Sequence, residues 1–139
     1  MKFDLRIVLA IAIGGALGSV ARYALNVAIQ SRLADPFPLG VMVINVSGSF
    51  LLGFLMRLSL ETTGLSPELR LFLTTGFCGG FTTFSTFSYD ALTLFETGAV
   101  RSAWTYLLGS VSLSVLAAFT GVFAGRQLGI LLRSRGVPS

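Results

Sequence analysis

The stretch 76–88, GFCGGFTTFSTFS, combines residue types that rarely share one membrane-spanning segment. It lies inside an apolar run, 69–94, that is long enough to cross a bilayer, yet it holds three glycines and a series of Ser and Thr residues. The adjacent Gly79 and Gly80 each weaken a helix by roughly 1 kcal/mol relative to Ala. Unpaired backbone is tolerated at membrane depth only where it faces protein or a wet cavity. We therefore predict a helix broken at Gly79–Gly80, whose free backbone groups meet an ion.

Uncharged hydrogen-bond donors recur in the other apolar segments. Asn45 places an amide in the second of them, where an unpaired polar group would cost several kcal/mol. A row of hydroxyls at four-residue spacing occupies one face of the last segment: Tyr106, Ser110 and Ser114. The amide and hydroxyls could donate to an anion. The plainer alternative for Asn45 is a hydrogen bond that joins two helices.

Two aromatic residues follow the expected break. Phe84 and Phe87 are three positions apart and share a helix face, with Thr83 beside them. Phe ring edges are electropositive and can solvate an anion weakly, although two Phe residues at this spacing more often serve packing. Donors without a full charge suit passage of a small hydrated anion better than storage. Freed carbonyls at the break could instead hold a small cation such as sodium.

The composition indicates a membrane protein and argues against an enzyme. The 139 residues are 53% hydrophobic and 12% charged, and an ordinary soluble domain carries about 25% charged residues. There is no His and a single Cys, Cys78, so an intrachain disulfide, a His/Cys metal site and a Cys–His nucleophile are excluded. The net charge of +4 is not clustered with aromatic residues, which argues against nucleic-acid binding.

Hydropathy predicts an all-α integral membrane protein, a single domain over 1–139 with four transmembrane helices. The spans are expected at about 5–29, 39–57, 69–95 and 102–125, followed by a flexible basic tail, 133–139. A cleaved signal peptide is the alternative for the first segment, because Lys2 and Arg6 precede its apolar run. Three further spans favour the transmembrane interpretation.

Two charged residues fall within the predicted spans. Arg22 either lends positive potential to a vestibule that attracts anions or reaches the headgroups with its long side chain. Asp90, near the end of the third span, is either an interfacial charge or part of the pore mouth.

Small residues spaced four apart indicate close helix packing. They occur as Gly14 with Gly18, as Ser49 with Gly53, and in the last span as Gly121, Gly125 and Gly129. Because four spans enclose little space, we expect dimerisation to form the pathway, with these small-residue faces supporting it.

The loop charges predict that both termini lie in the cytoplasm. The termini and the second loop hold seven Lys and Arg residues, and the opposite loops hold Arg32 and Arg101.

Three motifs together resemble the Fluc (CrcB) family of fluoride channels over essentially the whole chain. The third motif is highly specific, whereas the first two would be weak alone. They are Gly14-Gly15-x-x-Gly18-x-x-x-Arg22-Tyr23, Gly40-x-x-x-x-Asn45, and Gly76-Phe77-x-Gly79-Gly80-x-Thr82-Thr83-Phe84-Ser85-Thr86-Phe87-Ser88.

The resemblance implies an antiparallel, dual-topology dimer with two fluoride pathways and a central structural sodium ion. It assigns Phe84 and Phe87 as ring-edge ligands, Asn45 as a pore amide and Arg22 as the vestibule arginine. Tyr106, Ser110 and Ser114 match its polar track. The backbone carbonyls of Gly79 and Thr82, from both subunits, would hold the sodium.

The chain departs from the family in two respects. Val41 stands where the family often has Thr, so one hydroxyl of the polar track is missing. Seven loop charges against two is unbalanced for a dual-topology protein, so either a homodimer tolerates the bias or the chain pairs with an oppositely oriented partner. We expect the homodimer.

The sequence thus predicts a passive fluoride exporter in the inner membrane of a prokaryote, without an organic cofactor. A small dual-topology multidrug or proton-coupled transporter is the alternative. It would need a titratable carboxylate near mid-membrane, and Asp90 lies toward an end of its span. A non-conducting assembly subunit is a third possibility, which would leave the hydroxyl row and the broken helix without a use.

Overall fold

The computed structural model describes residues 4–34, 36–62 and 65–134, and every regular element in these ranges is helical. The helices are α1 (Leu5–Gln30), α2 (Leu39–Glu61), α3 (Pro67–Leu71), a π-helical segment (Phe72–Cys78), α4 (Gly79–Phe81), α5 (Phe84–Glu96) and α6 (Val100–Ser134). The all-α prediction is confirmed for this part of the chain.

Three helices, α1, α2 and α6, are long and apolar enough to cross a membrane. At 1.5 Å per residue the 23 residues of α2 span about 35 Å, which exceeds a hydrocarbon core of about 30 Å. The predicted third span is divided among shorter helices between 67 and 96, so its crossing of the bilayer stays a prediction.

Helix α6 extends well past the predicted end of the fourth span. It continues to Ser134 instead of stopping near residue 125, and its 35 residues cover about 52 Å. The expected flexible tail therefore begins inside a helix, and its remaining residues, 135–139, lie outside the described residues. Buried Glu61 at the end of α2 holds this extension, because it pairs with Arg57 and, at 3.1 Å, with Arg133 of α6.

The break in the third segment is real, but its predicted position was wrong. Gly79 has helical dihedral angles (φ −64°, ψ −37°), and the chain leaves the helix at Thr82 (φ −78°, ψ 157°) and Thr83 (φ −151°, ψ 118°). The break thus lies just after the glycine pair, beyond Phe81. Gly80 serves packing instead, because a Cβ there would collide with the carbonyl oxygen of Gly15.

Glycines bring two pairs of helices into backbone contact, which confirms the predicted close packing. Along α1, a Cβ on Gly14 or Gly18 would strike the carbonyl oxygens of Phe72 and Phe77, respectively. Along α6, Gly121 and Gly125 meet the carbonyl oxygens of Phe50 and Phe54 of α2 in the same way, and Gly129 packs against the side chain of Glu61.

The prediction that these small-residue faces support dimerisation was wrong for the glycines just named, because each packs within its own chain. Gly79 differs from them. It has a negative φ, and a Cβ there would meet no atom within 4 Å.

A buried cluster joins α5 to α2 and α6. It consists of Val41, Phe87, Ala91, Leu94, Ala103 and Tyr106, each less than a tenth exposed. Gly98, with φ 77°, makes the turn between α5 and α6, where a side chain would be strained. The cluster and the turn fix α5, and with it the residues that follow the break.

Candidate functional site

A groove of about 310 Å³ lies beside the break, between α2, α5 and α6. It gathers Asn45, Thr83, Phe84, Phe87, Ser110 and Ser114, which the sequence predicted as a common site. The other lining residues are Ser49, Leu52, Thr82, Val111 and Val115. The groove therefore contains amide, hydroxyl and aromatic groups, and none of its lining side chains is charged.

Asn45 fixes the break from the neighbouring helix. Its amide nitrogen donates to the Thr83 carbonyl at 2.9 Å, and the Thr83 backbone N–H donates to its amide oxygen at 2.8 Å. The two bonds satisfy backbone groups that leave the helix. The helix-joining role that the sequence left open for Asn45 is therefore present. One N–H of the amide stays free for a ligand, because the NH₂ group has two.

The break diverts two backbone donors and thereby releases two carbonyls. In a continuous helix, the N–H of Thr83 would bond to Gly79 and that of Thr86 to Thr82. Here the Thr83 N–H goes to Asn45, and the Thr86 N–H goes to the Thr83 hydroxyl at 3.2 Å. The Gly79 and Thr82 carbonyls, which the family resemblance names as sodium ligands, thus lose their usual helical partners.

The serine hydroxyls in the groove have no hydrogen-bond partner among the described residues, unlike most hydroxyls on these helices. Ser110 is 3% exposed, and its hydroxyl makes no hydrogen bond in the described chain. Ser49 and Ser114 likewise form none with the described residues. Outside the groove, Ser47, Ser88 and Thr93 each donate to a carbonyl of the preceding turn. A buried hydroxyl without a partner costs about 1–3 kcal/mol, so a ligand would relieve that cost.

The two phenyl rings occupy different environments. Their centroids lie 5.6 Å apart with the planes at 44°, so they are in contact as the spacing predicted. Phe87 is 6% exposed and rests on the Tyr106 ring at 5.2 Å, whereas Phe84 is 78% exposed in the single chain. Phe87 therefore belongs to the buried wall of the groove, and Phe84 lies at its exposed edge.

Tyr106 lies behind the groove and is not in its lining. It is fully buried, and its hydroxyl donates to Asp90 at 3.3 Å. Its ring supports Phe87 and makes an edge contact with Phe37 at 5.7 Å. Val41 occupies the same buried cluster, so the position often held by Thr is also absent from the lining.

Arg22 is not brought to the groove. It is half-buried on α1 and forms no ion pair within the part of the chain that the structure describes. Its vestibule role stays a prediction. Among the described residues no cluster of Asp, Glu or Cys could hold a metal ion through side chains.

Ser49 is the polar lining residue that the sequence did not assign to this site. Its spacing from Gly53 indicated close packing, but only Gly53 is packed that way, with its Cβ position 2.5 Å from the Ala118 carbonyl oxygen. The sequence spacing could have predicted this position, because Ser49 follows Asn45 by four residues and shares its helix face.

Comparison with known proteins identifies the family of this chain. The family described as "CrcB-like protein, Camphor Resistance (CrcB)" matches residues 9–122. Three similar proteins each bear the name "Fluoride-specific ion channel FluC". The one from Rhizobium meliloti (strain 1021) is 48% identical over 87% of this chain and 97% of its own length.

The other two relatives agree in extent. The Geobacter sulfurreducens protein is 49% identical over 87% of this chain and 98% of its own length. The Thermus thermophilus protein is 48% identical over 86% of this chain and 94% of its own length. The chain therefore belongs to the CrcB family, whose members are named as fluoride ion channels and not as enzymes.

Proposed function

We propose that this protein is a fluoride-selective channel that exports fluoride from the cytoplasm by passive electrodiffusion. The observation that carries the proposal is the groove itself, where unpartnered hydroxyls stand beside the rings of Phe84 and Phe87. Fluoride is small and strongly hydrated, so it needs several close donors to leave water. The Ser110 and Ser114 hydroxyls, the free Asn45 N–H and the phenyl edges are donors of this kind.

The absence of a cationic side chain from the lining favours passage. An Arg or Lys in a site of low polarity would stabilise a bound anion by several kcal/mol and so slow its release. Conduction needs binding strong enough for the ion to enter and weak enough for it to leave. Neutral donors meet both conditions.

A second copy of the chain completes the pathway in this proposal. Phe84 leaves one side of the groove uncovered, and Gly79 presents an open face nearby in sequence. A helical glycine that nothing in its own chain requires costs about 1 kcal/mol relative to Ala, which is explained if a partner backbone approaches there. An antiparallel homodimer gives two equivalent pathways, with a heterodimer as the alternative raised by the loop charges.

The residues present fit a central sodium ion. The Gly79 and Thr82 carbonyls have lost their helical donors, and sodium favours such neutral oxygen ligands. Two carbonyls from each of two subunits would surround the ion and tie the breaks of both chains together. The sodium would serve a structural role.

The remaining predicted residues take supporting roles. Arg22 would raise the anion concentration in a vestibule. Tyr106 and Asp90 would hold Phe87 in position from behind, since Tyr106 contacts both. A proton-coupled or multidrug transporter is disfavoured because neither Asp90 nor any other described carboxylate lines the groove.

The deciding experiment is anion efflux from liposomes that contain the purified protein. At neutral pH and with a potassium ionophore to balance charge, we expect fast fluoride efflux and chloride efflux no faster than from empty liposomes. Fluoride efflux that requires a proton gradient would favour the transporter. Equal efflux of the two anions would contradict a fluoride-selective channel.

A further inference from the structure

We infer that Ser49 is a further pore residue, which supplies the hydroxyl of α2 to the conducted anion. The inference rests on the proposed channel function. It adds a hydroxyl donor on α2 to the amide of Asn45, at a position where the sequence indicated only close packing.

The position of Ser49 supports a pore role. It lies one helical turn beyond Asn45 on the same face of α2, and it lines the groove that also holds Ser110 and Ser114 of α6. The amide oxygen and one N–H of Asn45 are already hydrogen-bonded to the backbone of Thr83. A hydroxyl is therefore needed on the α2 wall if an ion is to meet donors from both sides after it passes Asn45.

The hydroxyl of Ser49 is available, unlike that of its neighbour Ser47. Ser47 donates to the Val43 carbonyl at 2.7 Å, which satisfies its hydroxyl within the helix. Ser49 makes no hydrogen bond with any described residue, although it is half-buried on a membrane-spanning helix. A serine at membrane depth ordinarily bonds to the carbonyl of the preceding turn.

The residues around Ser47 and Ser49 also differ in polarity. Ser47 lines a second groove, of about 550 Å³, whose other lining residues are apolar: Leu39, Met42, Val43, Val46, Phe50, Leu113 and Ala117. Ser49 faces the amide, the hydroxyls and the phenyl rings. One helix thus presents a satisfied hydroxyl to an apolar surface and a free hydroxyl to the polar groove.

Packing does not account for Ser49. The close contact between α2 and α6 is made at Gly53, against the Ala118 carbonyl. The Ser49 side chain borders the open groove, where there is room for an added methyl group.

The test compares fluoride efflux from liposomes for Ser49→Ala and the matched control Ser47→Ala. We expect Ser49→Ala to lower the fluoride flux about fivefold, the effect of one lost hydrogen bond of about 1 kcal/mol. Ser47→Ala should stay within about twofold of the wild type, because its hydroxyl bonds only within the helix. Equal fluxes in both variants, with a conducting wild type, would overturn the inference and leave the channel proposal intact. A wild type that does not conduct fluoride would refute the channel proposal itself.

A second pair separates the hydroxyl from the shape of the side chain. Ser49→Thr and Ser49→Val place side chains of equal size in the groove, and only Thr keeps the donor. We expect the Thr variant to conduct at least about fivefold faster than the Val variant at equal thermal stability. If Ser49→Ala fails to assemble, this comparison decides the question. Equal flux in the Thr and Val variants would mean that the hydroxyl has no part in conduction.

Discussion

Small and hydroxyl-bearing residues serve opposite purposes in two regions of this molecule. Between α1 and the 67–81 segment, glycines bring backbones into contact, and the Ser19 hydroxyl donates to the Gly80 carbonyl at 3.4 Å. In the groove between α2, α5 and α6, the hydroxyls of Ser49, Ser110 and Ser114 make no hydrogen bond with the described residues. In the first region these groups pack against each other within the chain, whereas the second presents hydroxyls that can donate to a ligand. Substitutions should therefore affect assembly in the first region and conduction in the second.

The largest effect is expected in the glycine contact. A Cβ on Gly18 would collide with the Phe77 carbonyl oxygen and lie 2.8 Å from the Phe81 backbone nitrogen. Because backbone cannot move aside, Gly18→Ala should destabilise the fold by about 1–3 kcal/mol. The expected readout is a lower melting temperature and a smaller monodisperse fraction in detergent.

Gly109→Ala is the matched control for this prediction. Its Cβ would meet only the flexible end of Met42, at 3.3 Å, so we expect it to be neutral or to stabilise α6 by up to about 1 kcal/mol. Equal stability of the Gly18 and Gly109 variants would show that the α1 contact is not as tight as described.

Substitutions of the two phenylalanines should distinguish effects on stability from effects on conduction. Phe84→Ile and Phe87→Ile should both lower fluoride flux, because each removes a ring edge from the groove. Phe87 is 6% exposed against the Tyr106 ring, so its loss should also cost about 1–3 kcal/mol. Phe84 is 78% exposed in the single chain, and its variant should keep its stability within about 0.5 kcal/mol.

Phe119→Ile provides the control for ring loss alone. Phe119 is 71% exposed on α6 and does not line the groove, so flux should match that of the wild type. Wild-type flux in both the Phe84 and Phe87 variants would remove the rings from the pathway.

Local sequence predicted what the third segment contains but not where it breaks. The glycine pair and the following hydroxyls correctly indicated an interrupted helix. The position of the interruption depends on Asn45, which is 38 residues away and bonds to both backbone groups of Thr83. A tertiary contact of this kind overrides the low helix propensity of Gly79 and Gly80, which stay helical.

The groove was predictable to the extent that helical spacing determines a face. Spacing placed Phe84 with Phe87 and Ser110 with Ser114, and the structure brings all four to one surface. Spacing also grouped Tyr106 with the serines, but its larger side chain reaches the buried cluster and Asp90 instead. Side-chain length and the position of the neighbouring helix decided that difference, and neither can be read from periodicity alone.

The smallest effect on the fold, and the most direct test of the account, is expected at Ser110. Its buried hydroxyl makes no hydrogen bond in the described chain, so the fold gains nothing from it. Removing it should leave thermal stability unchanged or raise it by up to about 1 kcal/mol, since an unsatisfied polar group is lost.

The decisive measurement is therefore fluoride efflux of Ser110→Ala, made on the same preparation as its melting temperature. The account predicts a flux reduced about fivefold or more in a protein at least as stable as the wild type. Wild-type flux would contradict the claim that the groove's free hydroxyls replace water around a passing fluoride ion. So would a loss of flux that only follows a loss of stability.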